Sequence, residues 1–223
     1  MIPPAERTPL PMPEPAAKAP HRHLDELAAR CPDLAPLRPE LERAFEAMRD
    51  ALRAGGKLLL AGNGGSAADC EHWAGELLKG FESRRPLGAE ERAQLPPELA
   101  DRLQGGLVAI PLTSFYALRT AIANDVAGEM EFAQLAWALG RPGDVFVGIS
   151  TSGNSRSVCL AAQAARARGC RVVALTGRGG GTLAGLADIA LRAPADRTLR
   201  VQEFHLPIYH TLSLMLEDAF FPG

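Results

Sequence analysis

The chain has 223 residues, 47% of them hydrophobic and 22% charged, with a formal net charge of −2. That describes a globular protein of one large domain. Lys and Arg are spread along it, so there is no electrostatic case for nucleic acid or an anionic membrane as partner.

Seven of the first 20 residues are proline. Such a stretch lacks the backbone donors that helix and sheet require, so residues 1–22 are expected to stay extended or disordered, ahead of a single domain over 23–223. No signal-type apolar stretch opens the chain and no run reaches the ~20 apolar residues of a membrane helix, so a cytoplasmic protein is expected. Four cysteines (Cys31, Cys70, Cys159, Cys170) form no CxxC pair and read as free thiols or small buried hydrophobes.

A helical pattern begins near Leu24. It continues in a second helix, where Leu41, Phe45, Met48 and Leu52 make one apolar stripe that ends at Gly55-Gly56. The period then changes. Short apolar runs at 57–62, 106–112, 144–150, 171–177 and 188–194 read as strands, mostly buried on both faces. Helices are expected at 67–80, 115–124, 129–139, 155–168, 180–187 and about 200–219. The alternation predicts an α/β fold, a three-layer, doubly wound sheet of five parallel strands with N-terminal helices. Residues 82–105, charged and broken by prolines, form an excursion with a short helix, either a lid or a subunit contact.

In doubly wound sheets ligands bind beyond the carboxyl ends of the strands. Two such ends carry small and hydroxyl-bearing residues ahead of a helix: Asn63-Gly64-Gly65-Ser66 and Thr151-Ser152-Gly153-Asn154-Ser155. Free N–H groups and a positive helix dipole make these turns suited to an anion. For the first loop an ordinary serine N-cap is an equal explanation. In the second, Ser150, Thr151, Ser152 and Ser155 supply four hydroxyls within six residues, more than one cap uses. Phosphate is the better reading there.

These motifs resemble those of the sugar isomerase (SIS) domain family, within it the phosphoheptose isomerases. The resemblance runs from about residue 40 to the C-terminus. It rests on GNGGSAAD (62–69), His72 with Glu76, AND (123–125), GDVFVGISTSGNS (143–155), the glycine-rich stretch after ALTG (174–177) and RVQEFHLPIYH (200–210). It implies a phosphosugar aldose–ketose isomerase with Glu76 and His210 as acid and base. Asn63, Gly64, Ser66, Asp125, Ser150, Thr151, Ser152, Ser155 and Gln202 would contact the substrate. His72, Glu76, Gln202 and His210 match positions that bind zinc in the family. The resemblance also implies a homotetramer with sites at subunit interfaces, and the helix over 38–54 and the last helix are expected packing surfaces.

Geometry supports part of this set. His72 and Glu76 stand at i, i+4 on one helix face, whereas Gln202 and His210 are eight apart and roughly 80° from each other around an ideal helix. Pro207 between them is expected to kink that helix. Taken singly, each is commonplace: a His/Glu pair is most often a plain ion pair. His205 matches the family too, and a structural role is expected for it. Where relatives carry an aspartate three residues before the glutamine, this chain has Leu199, which leaves the sugar open. The alternatives are an isomerase of another sugar phosphate and a non-catalytic SIS module binding a phosphosugar or a replication initiator.

Overall fold

The computed structural model describes residues 20–221; the expectation for the proline-rich N-terminus lies almost wholly outside them. The five strands are β1 (Leu58–Gly62), β2 (Ala109–Pro111), β3 (Val145–Ser150), β4 (Arg171–Thr176) and β5 (Ile189–Arg192). All pair in parallel, in the order β2-β1-β3-β4-β5. The α-helices are α1 (Arg22–Arg30), α2 (Arg38–Arg53), α3 (Gly65–Leu78), α4 (Ala89–Ala93), α5 (Pro97–Arg102), α6 (Tyr116–Ile122), α7 (Glu131–Leu139), α8 (Arg156–Ala167), α9 (Gly181–Leu186) and α10 (Thr198–Phe220).

The sheet is apolar on both faces because alternate side chains enter different cores. Leu58, Leu60, Val145, Val147, Ile149, Val173 and Leu175 pack with α1, α2, α3 and α10. Leu59, Ala61, Phe146, Val172 and Ala174 pack with α7 and α8 on the other side. This is the expected three-layer arrangement. Its strand order places the topological switch point between β1 and β3, and the crevice there opens between the two loops singled out above.

Several boundaries differ from expectation for local reasons. β2 is short: it is an edge strand that ends at Pro111, a residue without an amide donor. The excursion holds two short helices, α4 and α5, closed at its base by an antiparallel bridge between Pro86 and Gln104. After α6 the chain makes a π-helical turn over Ala123–Ala127. α10 runs through Pro207 without interruption, and Thr211 Oγ1 donates to the Pro207 carbonyl (2.8 Å).

The apolar stripe of α2 does not face outward. Leu41, Phe45, Met48 and Leu52 are each at most 2% exposed in the chain's own core, where Ile208, Tyr209, Leu212, Met215 and Leu216 of α10 are fully buried too. The α2 stripe and this face of α10 are therefore taken up within the chain, while Leu199 (48%) and Leu206 (38%) of α10 stay exposed. Among the described residues no helix is long and apolar enough to cross a membrane.

Candidate active site

Two helices build the chemical centre. α3 begins at the end of β1, and α10 lies alongside it in the same direction. Gln202 meets Gly65, Tyr209 meets Asp69 and His72, His210 meets Glu76, and Ser213 meets Glu76 again. The match along the two helices follows from equal rise per residue.

Glu76 sits at the middle of this contact, 5% exposed. Its Oε2 accepts from Ser213 Oγ at 2.8 Å. Its Oε1 lies 3.2 Å from His72 Nε2 and 2.9 Å from His210 Nε2. Burial raises the carboxyl to about 7, against the lowering effect of the Ser213 hydroxyl, Lys79 and Arg85. His210 is pushed the other way, below its ordinary value, by burial and by the neighbouring His72 and Arg30. A carboxyl raised toward neutrality and an imidazole held neutral are the pair a proton shuttle needs.

The same three side chains fit a divalent metal. Their ligand atoms lie within 4.8 Å of one another. Two nitrogens and an oxygen at about 2.0–2.1 Å from one tetrahedral ion would be roughly 3.3 Å apart, close to the 3.2 and 2.9 Å that separate Glu76 Oε1 from the two imidazole nitrogens. Glu76 Oε1 and His210 Nε2 are buried and, despite their proximity, lack a hydrogen-bond partner. Buried polar atoms without partners are rare and call for an explanation, which a cation between them provides.

Gln202 is placed elsewhere, two turns toward the start of both helices. A Cβ on Gly65 would lie 2.1 Å from its Nε2, so the close approach depends on glycine at 65. Eight residues of helical rise separate its Cα from that of His210, about 12 Å along the axis.

The second loop is packed against the glycine-rich turn before α9. Gly153, at φ +67°, has the Gly180 carbonyl 2.0 Å from where a Cβ would be. Within the loop, Ser150 Oγ accepts from Ser155 N–H (3.4 Å) and Ser152 Oγ from Asn154 N–H (3.1 Å). Asn63 Nδ2 reaches across from the first loop to Ser155 Oγ (2.8 Å) and Ser157 Oγ (3.0 Å). These bonds are the turn-building role of such residues. In each the hydroxyl accepts, which leaves the protons of Ser150 and Ser152 for an anion, while Ser155 and Ser157 also face each other at 3.5 Å, where either can donate. Thr151 is half-buried at the end of the strand, while Ser66 is buried in the first turn of α3 and Gly64 takes φ +56° before it. Asp125 is exposed in the π-helical turn, where it accepts from Asn124 Nδ2, and stands outside the His72–Glu76–His210 group.

Four contributors were not singled out from sequence. Ser157 lies two residues past the loop. Ser213 falls three residues after His210, one turn further along α10, a spacing that would have found it. Arg85 and Glu217 form a buried pair at 2.6 Å. Glu217 also takes the N–H groups of Phe81, Glu82 and Ser83, and Arg85 donates to the carbonyls of Glu76 and Leu77. This clasp closes the end of α3 that carries Glu76. His205, fully buried, uses Nε2 on the Thr176 carbonyl (3.2 Å) and has no catalytic neighbour in the triad, in line with a structural role.

Comparison with known proteins converges on one group. Family models described as SIS domain match residues 23–96 and 114–217. Phosphoheptose isomerase of Thiobacillus denitrificans is 44% identical over 179 residues, 79% of this chain and 81% of that protein. That of Geotalea daltonii is 43% identical over 185 residues, 83% of this chain and 86% of the other. Among solved structures, phosphoheptose isomerase from Neisseria gonorrhoeae superposes with a TM-score of 0.68 at 35% identity, covering 88% of this chain and 92% of that one.

Proposed function

Because the chain belongs to the phosphoheptose isomerase family of SIS-domain proteins, we propose that it interconverts sedoheptulose 7-phosphate and glycero-manno-heptose 7-phosphate, a ketose and an aldose. The observation that carries this reading is Glu76 Oε1 between two imidazole nitrogens, on α3, which starts at the Asn63–Ser66 loop, and on α10 alongside it.

In the proposed reaction the hydroxyls of Ser150, Thr151, Ser152 and Ser155 and the first N–H groups of α8 hold the phosphate. Asn63, Gly64, Ser66, Asp125 and Gln202 are assigned to the sugar and the phosphate on the remaining sides. Glu76 removes a proton from C1 of the ketose, giving an enediol, exchanges it with solvent and delivers a proton to C2. His210 gives a proton to the C2 oxygen and receives one from the C1 oxygen, so no atom is gained or lost. His72, Glu76 and His210 would hold zinc, whose charge would polarise the substrate's oxygens. One carboxylate oxygen cannot be a tight ligand and a free base together, so we assign the proton transfers to the side chains alone.

A second substrate reading has its own support. Leu199, in the first turn of α10 and 48% exposed, stands where the family's aspartate is expected and offers no hydrogen bond to a sugar. A sugar phosphate of different length is therefore the alternative. For the assembly we propose a cytoplasmic homotetramer. Large apolar side chains left in the open, Tyr116 at 77% and Val126 at 69%, are suited to a second copy.

An aldose–ketose assay across five-, six- and seven-carbon phosphates, on wild type and Glu76→Gln, tests the proposal. Turnover concentrated on the seven-carbon pair and abolished by the substitution is expected. Preference for a shorter sugar would favour the Leu199 reading. Activity indifferent to the substitution would remove Glu76 from the mechanism.

A further inference from the structure

Beneath the triad lies a second set of contacts, on the far side of His72. Tyr209, fully buried and stacked on Trp73 (centroids 5.5 Å, planes 20° apart), places its hydroxyl between two partners. Asp69 Oδ1 is 3.3 Å away and His72 Nδ1 is 3.1 Å away.

A phenol has one proton to give. Asp69 Oδ2 is buried without a partner, so Oδ1 holds the only hydrogen bond found for that carboxylate among the described residues. Stripping it would leave an ionised group with neither oxygen paired, an expensive arrangement. The hydroxyl proton is therefore committed to Asp69, and the contact with Nδ1 is a hydrogen bond only when the imidazole donates it. A neutral imidazole carries one N–H. With that proton on Nδ1, Nε2 presents a bare lone pair toward Glu76 Oε1 and His210 Nε2.

We propose that Tyr209 is a positioning residue. Its hydroxyl passes the charge of Asp69 to His72 Nδ1 and locks His72 as the tautomer whose Nε2 is free to bind a cation. The metal half of this statement rests on the zinc reading above; the tautomer half does not. An outer partner on the second nitrogen is what fixes the orientation and basicity of a ligating histidine, and loss of such partners weakens metal affinity about 10–100-fold. Tyr209 reaches the metal group only through His72 and has no part in the proton transfers.

The experiment is ring ¹⁵N NMR of His72 in the metal-free full chain at alkaline pH, followed by zinc titration of wild type and Tyr209→Phe. Phenylalanine keeps the stack on Trp73 and deletes only the hydroxyl. The expected wild-type signal is a protonated Nδ1 and a bare Nε2. In Y209F that bias is lost, and zinc binds about 10–100-fold more weakly. A wild-type His72 protonated mainly on Nε2 overturns the proposal, and this reading needs no variant to fold. An unchanged tautomer in folded Y209F also overturns it. If the tautomer shifts while zinc affinity stays the same, the metal half falls. If wild type shows the Nδ1–H form yet binds no zinc, the zinc reading fails and the tautomer assignment stands.

Discussion

Ser213 Oγ donates to Glu76 Oε2 at 2.8 Å, and this bond decides which carboxylate oxygen turns toward the two imidazoles. With Oε2 held, only Oε1 is left for chemistry. Ser213→Ala would leave a buried carboxylate oxygen unpaired, at a cost of about 1–3 kcal/mol. It also removes an influence that lowers the Glu76 carboxyl, so the group should hold its proton to still higher pH. Denaturant unfolding should show the loss in stability, and kcat should fall more than KM changes, because the oxygen that acts is no longer fixed.

The clasp between Arg85 and Glu217 should be among the costliest single contacts to break. Both side chains are buried, and Arg85 ties the end of α3 to the base of the excursion. Arg85→Met strands the Glu217 charge and is expected to destabilise by about 3–5 kcal/mol. Burial would raise the Glu217 carboxyl, yet the N–H groups of Phe81 and Ser83 and the Arg85 guanidinium hold it below its ordinary value. That stability is present above the usual carboxylate range and is lost as pH falls. In R85M, urea midpoints measured across acid pH should lose part of this slope.

His205 makes a second acid-sensitive element. Burial pushes it down to about 4 from an ordinary 6.5, opposed by its bond to the Thr176 carbonyl. A depressed histidine favours folding while neutral, so the contribution is intact above about pH 6.5 and drains away as pH falls toward 4. His205→Gln, which can keep a donor near Thr176, should flatten the stability curve over this window. A curve identical to wild type would show that His205 does not carry it.

Gly65 separates a substrate effect from a stability effect. A methyl group there displaces the end of the flexible Gln202 side chain while the backbone stays in place. Gly65→Ala should therefore fold with a midpoint near wild type, helped by the better helix propensity of alanine. If Gln202 touches the sugar, KM should rise several-fold. An unchanged KM would take Gln202 out of the substrate site.

The layered fold was legible in the chain because the signals are local. Continuous apolar runs such as Val145–Ile149 have no polar face to offer solvent, and hydroxyl-rich turns after β1 and β3 mark strand ends. The loops at the switch point were legible for the same reason. What was missed depends on distance across the chain. Glu217 meets Arg85 from 132 positions away, and Tyr209 meets Asp69 from 140. No spacing rule joins such residues. The packing role of α2 was misread because an amphipathic stripe says that a face is covered, not by what. Here its own sheet covers it.

The central claim is that Glu76 moves a proton at carbon. The most direct measurement follows sedoheptulose 7-phosphate in deuterated water by NMR, with wild type and Glu76→Gln. Wild type is predicted to form the aldose with solvent deuterium at C2, and E76Q to slow both events by about 10²–10⁴-fold. Aldose formation with deuterium uptake undiminished in E76Q would contradict the account.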